Sequence, residues 1–228
     1  MTTPNLDLLL DNPVWHTLSG QHSSLAERNG QLLWYPADHA PFVSVADEAT
    51  RVSSAKGLVG KRYFLGPVPS QGMRLWTTTA VSRVLQMIRP VGAALPSCTS
   101  TAVVLDEDDH PAMNALTAVA FPDFFRARTA SLGTYVGIKV DGTVVSMAGE
   151  RMAVPGAREI SGVCTAPEHT GHGFGRDVML ALVARHEAQG NASFLHVSES
   201  NAVAIRLYER LGFRPRAVLA LHAVDFAD

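Results

Sequence analysis

The chain has 228 residues, 46% of them hydrophobic and 18% charged, which supplies a real core and is incompatible with disorder throughout. Its 19 basic residues against 21 acidic ones exclude a general polyanion binder, so no nucleic-acid partner is expected. The apolar run Leu8-Leu9-Leu10 is too short for a signal peptide, no stretch approaches the roughly 20 apolar residues of a membrane span, and cysteines occur only at 98 and 164. These features predict a cytoplasmic protein with no membrane partner.

The N-terminal part is poor in motifs. Asn12 as a cap and Pro13 at the first helical position predict a helix from Val14 to Arg28. Leu32 to Tyr35, Phe42 to Val45 and Lys61 to Leu65 read as short strands, and Leu75 to Ile88 as a mixture of strand and helix. Gly60-Lys61 is not a nucleotide phosphate loop, because Arg62 replaces the required Ser or Thr and Ala55 stands where the first glycine belongs. Residues 90 to 100 are rich in Pro, Gly and Ser and suggest a linker. The pattern then becomes regular. Thr101 to Leu105 is a strand, Asp109 caps a helix to about Val119, and a short helix fits Asp123 to Thr129. Tyr135 to Val140 and Thr143 to Met152 flank the hairpin turn Asp141-Gly142, and Arg158 to Thr165 is the next strand. A helix from Gly175 to Gln189 ends at Gly190, Ser193 to Val197 is a strand, Asn201 to Leu211 a helix, and Phe213 to Phe226 a closing strand. Hairpins mixed with crossovers predict an α/β fold with a sheet of mixed direction.

Between the strand ending at Thr165 and the helix starting at Gly175, three glycines fall at alternate positions, Gly171, Gly173 and Gly175. Glycines let backbone N–H groups approach an anion, and the helix N-terminus adds unpaired donors and a favourable dipole. This is the chemistry of pyrophosphate binding. A dinucleotide-binding turn is the rival reading, with Glu199 placed as the ribose acid, but Arg176 occupies the position of its third glycine.

The segment Asn201 to Phe213, with Ala204, Leu207-Tyr208 and Leu211-Gly212-Phe213, decides between them. Together with Pro167 and the glycine loop, it resembles the GNAT superfamily of acyl-CoA-dependent N-acetyltransferases over about residues 100 to 228. Within that superfamily, Glu159-Ile-Ser-Gly-Val-Cys-Thr165 followed by this ending looks most like the glycine N-acyltransferase-like branch. The family commonly carries Arg or Gln where this chain has Thr170. The resemblance implies a mixed, mostly antiparallel sheet flanked by helices for residues 100–228. Residues 1–88 are expected to form a smaller accessory α/β region that shapes the acceptor pocket.

The resemblance also implies acetyl-CoA as acyl donor and a small-molecule or amino-acid primary amine as acceptor. The pyrophosphate would lie on Thr170, Gly171, His172, Gly173, Phe174, Gly175 and Arg176, the last either adding charge or being a solvated first-turn residue. The pantetheine and acetyl group would lie along Val163, Cys164 and Thr165, whose backbone N–H groups would face the developing oxyanion, with Asn201 and Ala204 beside them. Asn201 is an N-cap, a cofactor ligand, or both. Tyr208 matches the family residue that protonates the departing thiolate, and can equally be a packed aromatic. Glu159 is the first candidate for the base and Glu150 the second, against a reading of both as salt-bridge partners of Arg151 and Arg158. No metal is expected, since Cys164, His169, His172, His186 and His196 lack helical zinc spacing. Cys164 reads as a packed residue rather than a nucleophile, and no Gly-x-Ser-x-Gly motif occurs. An acyl-CoA-binding sensor is the alternative to an enzyme, and a homodimer is compatible with the chain.

Overall fold

A computed structural model of the chain describes residues 5–70, 74–97, 101–120 and 124–226. Two short helices open the chain, α1 (Leu6–Asp11) and α2 (Pro13–Leu18); α2 starts at the expected Asn12 cap and Pro13 but ends at Leu18 rather than Arg28. The break between the two falls at Asn12, whose Oδ1 accepts from Trp15 N as the cap of α2 and from Ser44 Oγ, while its Nδ2 donates to Val45 O at 2.7 Å. A buried Asn with both ends of its amide engaged cannot sit inside a continuing helix. Strands β1 (Glu27–Asn29), β2 (Leu32–Trp34) and β3 (Val43–Ser44) then form a small antiparallel sheet.

The remaining strands build one eight-stranded sheet. They are β4 (Gly60–Leu65), β5 (Trp76–Arg89), β6 (Val103–Val104), β7 (Tyr135–Val140), β8 (Thr143–Val154), β9 (Ala157–Thr165), β10 (Ala192–Ser198) and β11 (Arg214–Phe226), in the spatial order β4-β11-β5-β10-β9-β8-β7-β6. Every neighbouring pair is antiparallel except β10 with β9, which is parallel. Helix α3 (His110–Ala120) follows a short turn in which Asp106 and Asp109 form a reciprocal capping box. The helix expected from Asp123, a residue outside the described ones, is absent over 124–128; a 3₁₀ turn spans Thr129–Leu132 instead. Helix α4 (Phe174–Ala188) ends with Gly190 at φ 72°, and α5 (Ala202–Arg210) begins at the cap Asn201. No helix among the described residues is long and apolar enough to cross a membrane.

Strand β5 corrects two expectations. It is one fourteen-residue strand, not a mixture, although Arg83, Leu85, Gln86 and Met87 favour helix as monomers. Pairing on both edges overrides that preference: β5 lies between β11, in register from Arg214↔Ile88 to Phe226↔Trp76, and β10, from Ser193↔Arg89 to Ser198↔Val84. The expected boundary between residues 88 and 100 also does not follow the topology, because β4 and β5 belong to the main sheet.

Two cores flank the sheet. On one face, Leu10, Val14 and Leu18 pack on Phe194, Met152, Val154 and Phe42; on the other, α4 buries Val178, Met179, Leu182 and Val183 against Leu195, Val197, Met87 and Ile160. Removal of residues 1–88 takes out an edge strand and an inner strand. We expect the truncated chain to show no cooperative urea transition by circular dichroism. A cooperative transition near that of the full chain would contradict this topology.

Candidate active site

Strands β9 and β10 pair only at their starts, through Ala192↔Ala157, Ser193↔Arg158 and Phe194↔Glu159. Beyond that point they part, although β10 stays paired with β5 as far as Ser198↔Val84. The bend lies in β9. Its register with β8 passes from Gly149↔Ser161 to Met147↔Cys164, so Gly162 and Val163 face the single residue Ala148 in a bulge. Gly162 sits at φ +62°, a left-handed conformation that a side chain would strain. The opening holds a cavity of about 480 Å³ walled by Ser161, Gly162 and Val163 on one side and by His196, Val197 and Ser198 on the other. Asn201, Ala204 and Tyr208 of the α5 region line the same cavity, with Ser82, Arg83 and Val84 of β5.

The glycine loop lies past the end of β9. A Cβ on Gly175 would stand 3.4 Å from Thr165 Oγ1. Gly171 and Gly173 both adopt φ 82°, and Gly173 is the N-cap of α4 with no side chain closing the helix end. The N–H groups of residues 171–176 donate to no described residue, which leaves a row of donors at a positive helix end. The side chains around them are engaged elsewhere. Thr170 Oγ1 donates to Pro167 O at 2.9 Å, and His172 stacks on Phe174 with centroids 5.5 Å apart. Arg176 reaches the Ser97 carbonyl and lies beside Asp177, so it is a tether rather than a solvated first-turn residue.

Asn201 Oδ1 accepts from Ala204 N at 3.1 Å, and its amide donors meet no acceptor among the described residues. Tyr208 makes no hydrogen bond to a described residue, and burial pushes its hydroxyl up to about 12, so it stays protonated at neutral pH. Cys164 is buried among Tyr135, Met147 and Met113, and that burial raises its thiol to about 12, so it stays a thiol at neutral pH.

The two carboxylates proposed as base stand elsewhere. Glu159 is completely buried and does not line the cavity. Arg151 donates to it twice, from Nε at 2.9 Å and Nη2 at 2.6 Å, and His196 Nδ1 lies 2.8 Å from Oε1. Burial alone would raise this carboxyl, but the Arg151 charge and these hydrogen bonds outweigh it and hold the pKa at about 2. A carboxylate that acidic is a poor acceptor for the proton of an alkylammonium near about 10. Glu150 faces α4 on the opposite side of the sheet, bonded to His186 Nε2 at 3.0 Å and to Thr134 N at 3.1 Å. Burial pushes it up as well, and the His186 contact with the Thr134 N–H brings it below its usual value. The reading of Glu159 as a salt-bridge partner of Arg151 therefore describes the structure; Glu150 pairs with His186, not Arg158.

What lines the cavity instead are Arg151 and His196. The tautomer of His196 follows from its neighbours. Gln86 Oε1 accepts from Arg216 Nη1 at 2.7 Å, so Gln86 Nε2 donates to Leu10 O and to His196 Nε2, both at 2.9 Å. Nδ1 then carries the proton given to Glu159, and Nε2 holds the lone pair. Glu199, the candidate ribose acid, is paired with Arg83 at 2.7 Å. The sequence marks His196 only as one of five scattered metal-type residues, and nothing in it brings Arg151 or Phe42 to this cavity or Gln86 to His196. A glycine inside the strand-like run, Gly162, is the local sign of the bend.

Sheet, opening and loop define an acetyltransferase of the GNAT type, and comparison with known proteins agrees. Residues 135–220 match the family model described as FR47-like protein. A GNAT-family protein from Novosphingobium aromaticivorans is 34% identical, with a TM-score of 0.83 over 96% of this chain and 99% of its own. The chain belongs to the GNAT family. A GCN5-related N-acetyltransferase from Kribbella flavida, 18% identical with a TM-score of 0.64 over 97% of this chain and 96% of its own, shares the fold. A mycothiol acetyltransferase from Streptosporangium roseum is 46% identical over 56 residues, which are 24% of this chain and 17% of that relative.

The ion pair sets a pH dependence. A carboxyl with a folded pKa near 2 against an ordinary 4.5 contributes stability above about pH 4.5, lost as the pH falls towards 2. In urea titrations across that window, Glu159→Gln should flatten the slope of stability against pH. A slope equal to that of the unaltered protein would remove Glu159 from this role.

Proposed function

We propose that the protein moves the acetyl group of acetyl-CoA directly to a primary amine of a small molecule or amino acid. The observation that carries this reading is the parted β9–β10 pair, which offers an unpaired strand edge beside a row of free N–H donors and beneath Tyr208. The donors of residues 171–176 hold the pyrophosphate. The pantetheine adds along the free edge at Val163, Cys164 and Thr165, and a backbone N–H there faces the thioester oxygen as it gains charge, an effect often worth about 3 kcal/mol. Tyr208 meets the departing sulfur. With its pKa at about 12 against about 8.5 for a thiol, full proton transfer is uphill by about 5 kcal/mol. Its role is therefore a hydrogen bond that lowers the energy of the thiolate. The proton of the attacking ammonium goes to Nε2 of His196, once Gln86 yields that lone pair, while Glu159 fixes the ring through Nδ1.

Residues 159–165 and the segment from Asn201 to Phe213 support placement in the glycine N-acyltransferase-like branch. The free buried thiol of Cys164 suits a reducing cytoplasm. Calorimetric binding of acetyl-CoA with CoA thiol release in an amine screen tests the reading; binding without release for any amine favours the sensor.

Tyr208→Phe should lower kcat about ten- to a hundredfold with little change in the affinity for acetyl-CoA. His196→Gln should move the acid limb of the kcat/KM profile to higher pH, because deprotonation of the amine is then left to solvent. Unchanged kcat in the first variant, or an unmoved limb in the second, removes the residue from the mechanism.

A further inference from the structure

Building on the proposed transfer reaction, we infer that the acceptor is an α-amino acid with a large apolar or aromatic side chain, its carboxylate bound by Arg151. No carboxylate is among the described residues lining the cavity, whose charged groups are Arg83 and Arg151. Arg83 is exposed and committed to Glu199. Arg151 is different: it is about nine-tenths buried, and its Nη1 has no partner among the described residues. Glu159 holds the guanidinium by Nε and Nη2 from behind, and the Phe42 ring covers one face with its centroid 4.8 Å from Cζ. The remaining edge is a rigid, desolvated donor pair, the geometry that suits a carboxylate. Because Glu159 is fully buried, the wall itself presents the guanidinium and not its counter-charge.

The rest of that end is apolar, formed by Phe42, Phe124, Phe125, Leu65 and Leu221. Phe42 and Phe124 lie 6.1 Å apart in a tilted pair, a wall that matches a flat or branched side chain. An ammonium placed there meets no carboxylate, loses water and lies near a cation, so its neutral, nucleophilic form is favoured. A polyamine or a lysine-rich peptide finds no counter-charge among these residues.

The test follows CoA thiol release from acetyl-CoA with L-phenylalanine, 2-phenylethylamine, glycine and spermidine. L-phenylalanine should exceed 2-phenylethylamine, which lacks only the carboxylate, and glycine, which lacks only the side chain, by about tenfold or more in kcat/KM. In the double variant Arg151→Met/Glu159→Gln, which leaves no buried charge unpaired, the advantage over 2-phenylethylamine should vanish. Phe124→Ala, which leaves the ion pair intact, should reduce only the advantage over glycine. Equal rates with 2-phenylethylamine or glycine, or release with spermidine alone, overturn the acceptor assignment and leave acetyl transfer standing. Calorimetric binding of acetyl-CoA without release for any of the four overturns the acceptor assignment, and the transfer reading falls only if the wider amine screen gives no release either.

Discussion

The parting of β9 and β10 is the constraint on which this molecule turns. Strand pairs inside a sheet are held by backbone hydrogen bonds along both edges, and an interior edge left open is costly unless something else satisfies it. Here the parallel pairing stops at Phe194↔Glu159, and the bulge at Gly162 and Val163 carries the second half of β9 away. Everything proposed for the site follows from that opening. It frees a strand edge for the pantetheine, and Gly175 lies against Thr165 at the end of β9. It also lets α5 bring Tyr208 over the gap.

The opening is stable because its inner end is locked. Phe194 is fully buried on the α1–α2 face, and next to it the Arg151–Glu159–His196–Gln86–Arg216 chain of hydrogen bonds ties β8, β9, β10, β5 and β11 together. A buried carboxylate is tolerable only with close cationic partners and its lone pairs satisfied, and Glu159 has both. The same arrangement changes which group can do acid–base work. A carboxylate held near pKa 2 is spent on orientation, and the imidazole it orients is the group that reaches the cavity.

The strong local signals were legible. The Asp141-Gly142 hairpin, the helix from the glycine loop to Gly190, the Asn201 cap and the closing strand are all present within a residue or two of their expected ends. Each rests on short-range chemistry: a turn needing positive φ, a cap, or a run of apolar periodicity. The failures have the opposite character. The Leu75–Ile88 region was ambiguous because its residues favour helix alone, and it became a strand through two partners distant in the chain. The helix from Val14 starts at its expected cap Asn12 but ends at Leu18, where the Ser19 N–H turns back to Thr17 O and Trp15 O and Gly20 follows.

The amino-acid sequence by itself determined the family, the mixed sheet with its flanking helices, and the glycine loop, since these depend on residue types at fixed local spacing. The tertiary structure alone decided that β4 and β5, from the first ninety residues, belong to the main sheet. It also decided that Glu150 faces α4 while Glu159 is locked to Arg151, and that His196, Arg151 and Phe42 meet in one cavity. Those facts depend on register, bulges and long-range contacts. A carboxylate in a sequence carries its chemistry, but only its neighbours in space decide whether it accepts a proton or holds an arginine still.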